Sequence, residues 1–287
     1  MLSLRSVLPA VVALSLAVGL AACGSDDSSS SETTAQAVSC TKQDLKTIAS
    51  GKLTVGTDKP AYPPYFVDDD PSNGQGFESA VAYAIAKQLG FSKDEVDWTV
   101  VPFNSSYAPG EKKFDFDVNQ ISITPQREKV VDFSSPYYTA PQAVLARKGT
   151  APANAQSLED LTDVKLGVQV GTTSLQAVNE VIKPEQEPQV FNDSNDLVAA
   201  LKSGRIDAIV VDLPTAIYLR DAVVENSTVV GQFDLPGGGD KWGALLAKDS
   251  SLTACVTKAV TALRNSGQLQ AITDKWMSQY AQAPTLE

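Results

Sequence analysis

The sequence predicts an α/β protein of two lobes, each a mostly parallel sheet flanked by helices. Two observations carry this. Segments with strand character alternate with segments of helical periodicity instead of clustering by type, the order that yields parallel sheet. The alternation then starts afresh after Arg147-Lys148-Gly149-Thr150, which marks a second unit built like the first. Without its first 22 residues the chain keeps 265 of its 287, enough for two lobes with a core each.

In the first unit, residues 52–57 alternate as a strand and run into the turn-rich stretch 58–65, which holds three prolines. Apolar residues at helical spacing predict a helix over 77–89, with Gly90 as its stop. Residues 97–101 and 114–123 read as strands. In the second unit, 164–170 reads as a strand, 173–181 as a helix, 188–191 as a short strand, 194–203 as a helix and 205–212 as a buried strand. A strand over 242–248 and helices over 252–265 and 269–280 complete the chain. The stretch Leu201-Lys202-Ser203-Gly204-Arg205-Ile206-Asp207 echoes Glu111-Lys112-Lys113-Phe114-Asp115, in keeping with two lobes made alike.

The N-terminus is a processing segment. Arg5 supplies the positive charge, and the apolar run 7–20 is short of the ~20 residues a membrane span needs. Its end, Leu20-Ala21-Ala22-Cys23, resembles the lipobox of bacterial lipoproteins. That resemblance implies that Cys23 is lipidated, becomes the new N-terminus and anchors the protein to the outer face of the cytoplasmic membrane. An ordinary secretory signal is the alternative, and export follows from either. The polar stretch after it, 24–34, has nothing to bury and is expected to be a flexible tether.

Composition narrows the function further. With 43% hydrophobic and 20% charged residues the chain is globular, and a net charge of −11 without a basic patch argues against nucleic acid. If Cys23 carries lipid, Cys40 and Cys255 remain, and an oxidising compartment predicts a disulfide between them, free thiols being the other possibility. The chain has no histidine, which removes Ser-His-Asp and Cys-His catalysis and histidine metal sites. Asp68-Asp69-Asp70 lacks the spaced ligands of a calcium loop and reads as a solvated turn. No cofactor and no metal are expected.

Several motifs occur together in a set order: Val55-Gly56-Thr57-Asp58 with Tyr62-Pro63-Pro64-Tyr65, Gly76-Phe77-Glu78, Ile121-Ser122-Ile123-Thr124-Pro125-Gln126-Arg127, and Val131-Asp132-Phe133-Ser134-Ser135-Pro136-Tyr137-Tyr138. In the second unit Gly167-Val168-Gln169-Val170-Gly171-Thr172-Thr173 and Asp207-Ala208-Ile209-Val210-Val211-Asp212 follow. From Gly51 to Tyr280 the chain thereby resembles the bacterial extracellular solute-binding proteins of the polar amino-acid class, family 3, the receptors of ABC importers. The resemblance implies a type II periplasmic-binding-protein fold: lobe 1 from 40–145 and 239–287, lobe 2 from 146–238, after a signal peptide (1–22) and a tether (23–39). The strands that cross between lobes are expected near 146–148 and 235–238.

Arg127 is also singled out by physics. Thr124-Pro125 reads as an N-cap and first-turn proline, so Arg127 falls in a first helical turn, where a cation is unfavourable unless an anion compensates. A ligand carboxylate gripped by the guanidinium fork, or a salt bridge to Glu128 or Asp132, meets that need. Gly171-Thr172-Thr173 lies between strand and helix and serves as N-cap, anion site or both. Asp212 ends a buried strand, where ligands of open α/β sheets lie, and is placed for an ammonium group or as a helix cap.

The resemblance implies that an amino acid is held between the lobes. Arg127, Ser122 and Thr172, with Thr173 beside it, take its carboxylate, and Asp212, Ser122 and the carbonyl of Gln120 or its neighbour take its ammonium. Tyr62 covers the ligand and Tyr65 packs beneath it or belongs to the core; Asp58 and Asn119 face the ligand side chain. Ala80 stands where the family carries an acid, the stretch 104–113 is one residue short, and one residue is added between Asp58 and Tyr62. These departures bear on side-chain specificity. The function expected is capture of a polar amino acid by a monomer and delivery to a membrane ABC permease. An exported dehydratase using Glu78, Asp58 or Asp212, and a sensing receptor without import, are the alternatives.

Overall fold

The computed structural model describes residues 39–287. The expected signal peptide, the lipidation site Cys23 and nearly all of the tether lie outside the described residues. The first lobe opens with strand β1 (Leu53–Thr57), whose side chains are almost wholly buried, and helix α1 (Phe77–Gln88). At the start of α1, Gly76 takes φ 99°, and a Cβ there would lie 2.3 Å from the Tyr65 carbonyl oxygen, so only glycine lets the two segments touch. Strand β2 (Val96–Val100), the short helix α2 (Phe103–Ser106) and strand β3 (Phe116–Asp117) follow. After them come β4 (Val131–Phe133) and β5 (Tyr138–Ala140).

The second lobe comprises β6 (Gln142–Arg147), β7 (Leu166–Gln169), α3 (Thr173–Ala177), β8 (Gln189–Phe191), α4 (Ser194–Ser203), β9 (Ala208–Asp212), α5 (Leu213–Tyr218) and β10 (Ser227–Phe233). The chain then returns through β11 (Asp240–Trp242), β12 (Leu245–Ala247), α6 (Thr253–Asn265) and α7 (Gln268–Met277). Helix α4 spans the residues its periodicity predicts. The Asp193 carboxylate accepts from the Asp196 N–H at its start, the cap that defines that end.

Two five-stranded sheets result, in the orders β2-β1-β3-β12-β4 and β10-β6-β9-β7-β8. In each, a single strand, β12 or β6, runs against the other four, in agreement with the expected mostly parallel sheets. Each sheet carries apolar clusters of its own: Val55, Phe77, Ile85, Val256 and Leu263 in the first, Val144, Val168 and Val210 with Leu145, Leu197 and Ile209 on the two faces of the second. Among the described residues no helix is long and apolar enough to cross a membrane.

The lobe boundaries differ from those expected. Strand β6 belongs wholly to the second sheet, so the chain leaves the first lobe at Pro141 rather than at residue 146. The two connections run side by side as an antiparallel ribbon, Asp240 opposite Ala140 and Trp242 opposite Tyr138. The C-terminal residues, expected in lobe 1, return to lobe 2: Leu286 is 4% exposed within its core, and Gln232 exchanges backbone hydrogen bonds with Pro284 and Leu286 at 2.7 and 2.8 Å. Burial of Leu286 on β10 overrides the chain's adjacency to α7.

Cys40 and Cys255 form the expected disulfide, across a separation of 215 residues. It pins the first described residues to α6, and the Cys255 sulfur lies 3.7 Å from the Ser39 carbonyl oxygen.

Two predicted strands are broken. The long strand over 114–123 is regular only at Phe116–Asp117, bends at Gln120 into the space between the lobes, and pairs again at a single bridge of Ser122 to Trp242. Residues 242–248 split into β11 and β12 because Ala244 bonds to Ser134 through both its N–H and its carbonyl.

Candidate functional site

Between the lobes lies a cleft of about 640 Å³. It opens at the carboxyl ends of the parallel strands of both sheets: β1 leads to Asp58, β3 to Asn119 and Gln120, β7 to Thr172, and β9 ends on Asp212. All ten residues expected at the ligand, Asp58, Tyr62, Tyr65, Asn119, Gln120, Ser122, Arg127, Thr172, Thr173 and Asp212, line this cleft.

Arg127 is 7% exposed and reaches across it. Its Nη1 donates to the Ser122 carbonyl at 2.7 Å and its Nη2 to the Gly171 carbonyl of the opposite lobe at 2.9 Å. The rings of Phe103 and Tyr107, packed edge to face, lie against one side of the guanidinium, 5.5 and 4.5 Å from their centroids. The expected helix at Thr124-Pro125 is a single 3-10 turn, Arg127–Lys129, although the Thr124 hydroxyl does accept from the Arg127 N–H at 3.2 Å. A single turn carries little dipole, so burial among carbonyls and rings takes over the positioning of this cation. No ion pair to Glu128 or Asp132 forms; Asp132 pairs with Lys248 at 3.1 Å.

Gly171 takes φ 73° and turns its carbonyl toward Arg127. Thr172 caps α3, its hydroxyl accepting from the Leu175 N–H at 3.2 Å, as the sequence indicates. The Thr173 hydroxyl lies 3.3 Å from that of Ser122, a further meeting of the two lobes.

Asp212 lines the cleft as well, and a second carboxylate, Asp240, stands beside it outside the lining. Gln142 Nε2 donates to Asp212 Oδ1 at 2.7 Å and to Asp240 Oδ2 at 2.5 Å. Burial pushes the Asp212 carboxyl well above the usual range, the charge of Asp240 adds to this, and Gln142 and Arg127 hold it back. Burial also raises Asp240, against hydrogen bonds from Gln142, Thr173 and Ser122. Desolvation lowers Arg127, opposed by Tyr107 and by the Asp240 and Asp212 charges. The charges of two acids therefore act on one arginine, a balance that favours a cationic guest.

The two tyrosines differ in burial and partners. Tyr62 hydrogen-bonds Asn195 across the mouth and its ring lies 6.1 Å from that of Tyr218. Tyr65 is 3% exposed, meets Thr215 of the other lobe at 2.8 Å and sits edge-on to Trp242. Asp58 lines the cleft while its Oδ2 accepts from the Phe103 N–H at 3.1 Å, which anchors the ring that faces Arg127. Asn119 Nδ2 is buried without a hydrogen-bond partner.

Sequence reasoning missed Phe103, Tyr107, Gln142 and Asp240. An aromatic directly after Pro102, the residue that precedes α2, is a usable signal for Phe103. Asp240 follows Gly237-Gly238-Gly239 and reads as a turn, and only the ribbon pairing with β5 brings it to Asp212.

Two lobes joined by a crossing ribbon, with a polar cleft at the strand ends, define a solute-binding receptor. The chain belongs to the bacterial extracellular solute-binding proteins, family 3, whose model matches residues 53–279. It is 30% identical over 275 residues to the arginine-binding extracellular protein ArtP of Bacillus subtilis (strain 168), covering 93% of this chain and 96% of that one. Among solved structures it resembles an ancestral arginine-binding protein bound to arginine (TM-score 0.66, 34% identity, 79% of this chain and 99% of that one). It also resembles the ancestral amino-acid-binding protein AncCDT-1, a precursor of cyclohexadienyl dehydratase (TM-score 0.64, 34% identity, 79% and 95%). The fold is the type II periplasmic-binding-protein fold expected from the sequence.

Proposed function

We propose that this protein captures a polar amino acid, one with a cationic side chain first, outside the cytoplasmic membrane and delivers it to an ABC permease. The observation that carries the reading is that Arg127 and Asp212 line one cleft, with Asp240 tied to Asp212 behind the wall through the shared Gln142 amide. Two of the five guanidinium N–H groups are used on carbonyls, which leaves donors for a carboxylate, and the paired acids suit an α-ammonium. Ser122, Gln120, Thr172 and Thr173 complete those two anchors, Tyr62 and Tyr65 enclose the ligand, and Asp58 and Asn119 meet its side chain. Arginine is the first ligand to try, since ArtP and the ancestral relative bind it by name.

Lipid on Cys23 would hold a monomeric receptor at the membrane face, with the polar stretch behind it as a leash. Of the three acids a dehydratase could use, Glu78 is 0% exposed and does not reach the cleft, which leaves Asp58 and Asp212 for either role. The test is thermal unfolding of the chain from Ser25 onward, stripped of ligand by denaturation and refolding, against each common amino acid. Ligand at about 100 times its Kd adds about 2.7 kcal/mol, a shift of several degrees. A shift that disappears in Arg127→Ala and Asp212→Asn supports the reading, and no shift with any amino acid overturns it. Loss of uptake on deletion separates import from sensing alone.

A further inference from the structure

Gln120 holds a conformation that its residue type disfavours. Its φ is 50°, in the left-handed region that L side chains enter at a cost, and it sits in the turn that carries Asn119, Gln120 and Ser122 into the cleft. Backbone bonds of Val118 to Gly56 and of Ile121 and Ile123 to the ribbon fix the two ends of the turn, and Glu78 holds Gln120 between them. Glu78, in the first turn of α1, accepts the Gln120 backbone N–H on Oε1 at 2.7 Å and the Gln120 amide on Oε2, and Tyr137 donates its hydroxyl to Oε1. Glu78 is 0% exposed and is no part of the cleft wall, so it reaches a ligand only through Gln120.

We infer that Glu78 is a positioning residue whose carboxylate locks the 119–122 turn in its ligand-receiving shape and whose protonation releases it. The inference rests on the ligand-binding reading above. Three donors converge on two oxygens, which suits an acceptor-only carboxylate. A carboxylic acid carries a hydrogen of its own on one oxygen, and on Oε2 that hydrogen displaces the Gln120 amide. Burial pushes the Glu78 carboxyl up to about 7, against hydrogen bonds from Tyr137 and Gln120, so the release falls near neutral pH. The ionisable groups that feel Glu78 are Tyr137, Tyr65, Asp117 and Asp212, each raised in part by its charge.

The experiment measures Kd for L-arginine by calorimetry from about pH 8 to about pH 6 in four proteins: wild type, Glu78→Gln, Gln120→Gly and the double variant. Asp212 and Asp240 titrate in all four, so differences between the proteins isolate Glu78. The Glu78→Gln protein is expected to bind about tenfold more weakly at the upper pH and to lose part of the wild-type pH dependence. Glycine takes a positive φ unaided, so the double variant recovers most of the loss. Equal affinity and an equal pH profile in wild type and Glu78→Gln, or no recovery with glycine, overturn the inference. If Glu78→Gln fails to fold, Gln120→Gly alone decides, because it must show the flatter pH profile. Hydrogen–deuterium exchange over residues 118–123 without ligand is an independent reading: protection at high pH in wild type must fall on acidification and in Glu78→Gln. Should wild type bind no amino acid, the proposed function fails, while this exchange comparison still decides the role of Glu78.

Discussion

Asp212 and Asp240, on strands that belong to different sheets, share the amide of Gln142, at 2.7 and 2.5 Å. One neutral donor thus holds two acids together without neutralising either. Two buried acids held close without a cation are costly, and a guest ammonium relieves the cost.

Asp240→Asn separates these two effects. Both acids titrate above their unfolded values, so their favourable contribution is present below about pH 4 and is lost as pH rises through the folded values. At pH 8 the ligand-free variant is expected to be more stable than wild type by about 1–3 kcal/mol, with the gap closing toward pH 4. Amino-acid binding should weaken at the same time. Urea titrations at both pH values with calorimetry of the ligand check this, and a variant less stable than wild type at pH 8 contradicts it.

Arg127→Lys removes the planar fork that spans Ser122 and Gly171. An ammonium keeps the charge but cannot reach two carbonyls in opposite lobes and a ligand at once. Affinity is expected to fall by about 10- to 100-fold, roughly 1.4–2.7 kcal/mol. Small-angle scattering with saturating ligand should show a less compact particle than wild type under the same conditions.

Asp117 is 0% exposed, and neither of its carboxylate oxygens has a hydrogen-bond partner. Burial raises its pKa well above the usual range, with Glu78 and Asp58 adding to the effect. A raised acid stabilises the fold below its unfolded pKa and loses that contribution as pH rises through its folded pKa. Asp117→Asn should therefore gain about 1–3 kcal/mol over wild type at pH 8 and little near pH 4, read from denaturant midpoints. An unchanged pH–stability curve rejects this account.

The disulfide gives the fourth prediction. Its closed loop is nearly the whole described chain, so replacing Cys40 and Cys255 with serine is expected to cost about 2–5 kcal/mol in guanidinium unfolding. Neither cysteine lines the cleft, and ligand Kd should stay within about twofold.

Much of this architecture is legible in the chain because it rests on local rules. Helix α4 begins and ends where its cap and its glycine say, and the cleft residues sit at strand ends where parallel sheets leave them. The rest depends on tertiary partners that periodicity does not register. Residues 118–122 have strand character, yet Glu78, 42 residues away from Gln120, bends them into the cleft. Arg127 was placed at the site by its motif, but the rings and carbonyls that hold it come from separate segments. Asp240 shows no pattern at all until β11 pairs with β5.

The returning C-terminus has a consequence beyond fixing the chain's end. Strand β10 is the margin of its sheet, and a bare margin of backbone donors and acceptors invites pairing with a second molecule. Residues 284–286 occupy that margin at Gln232, and Leu286 fills the space beside Gly231. At Gln232 both backbone groups that the sheet margin would offer to another strand are therefore already used within the chain.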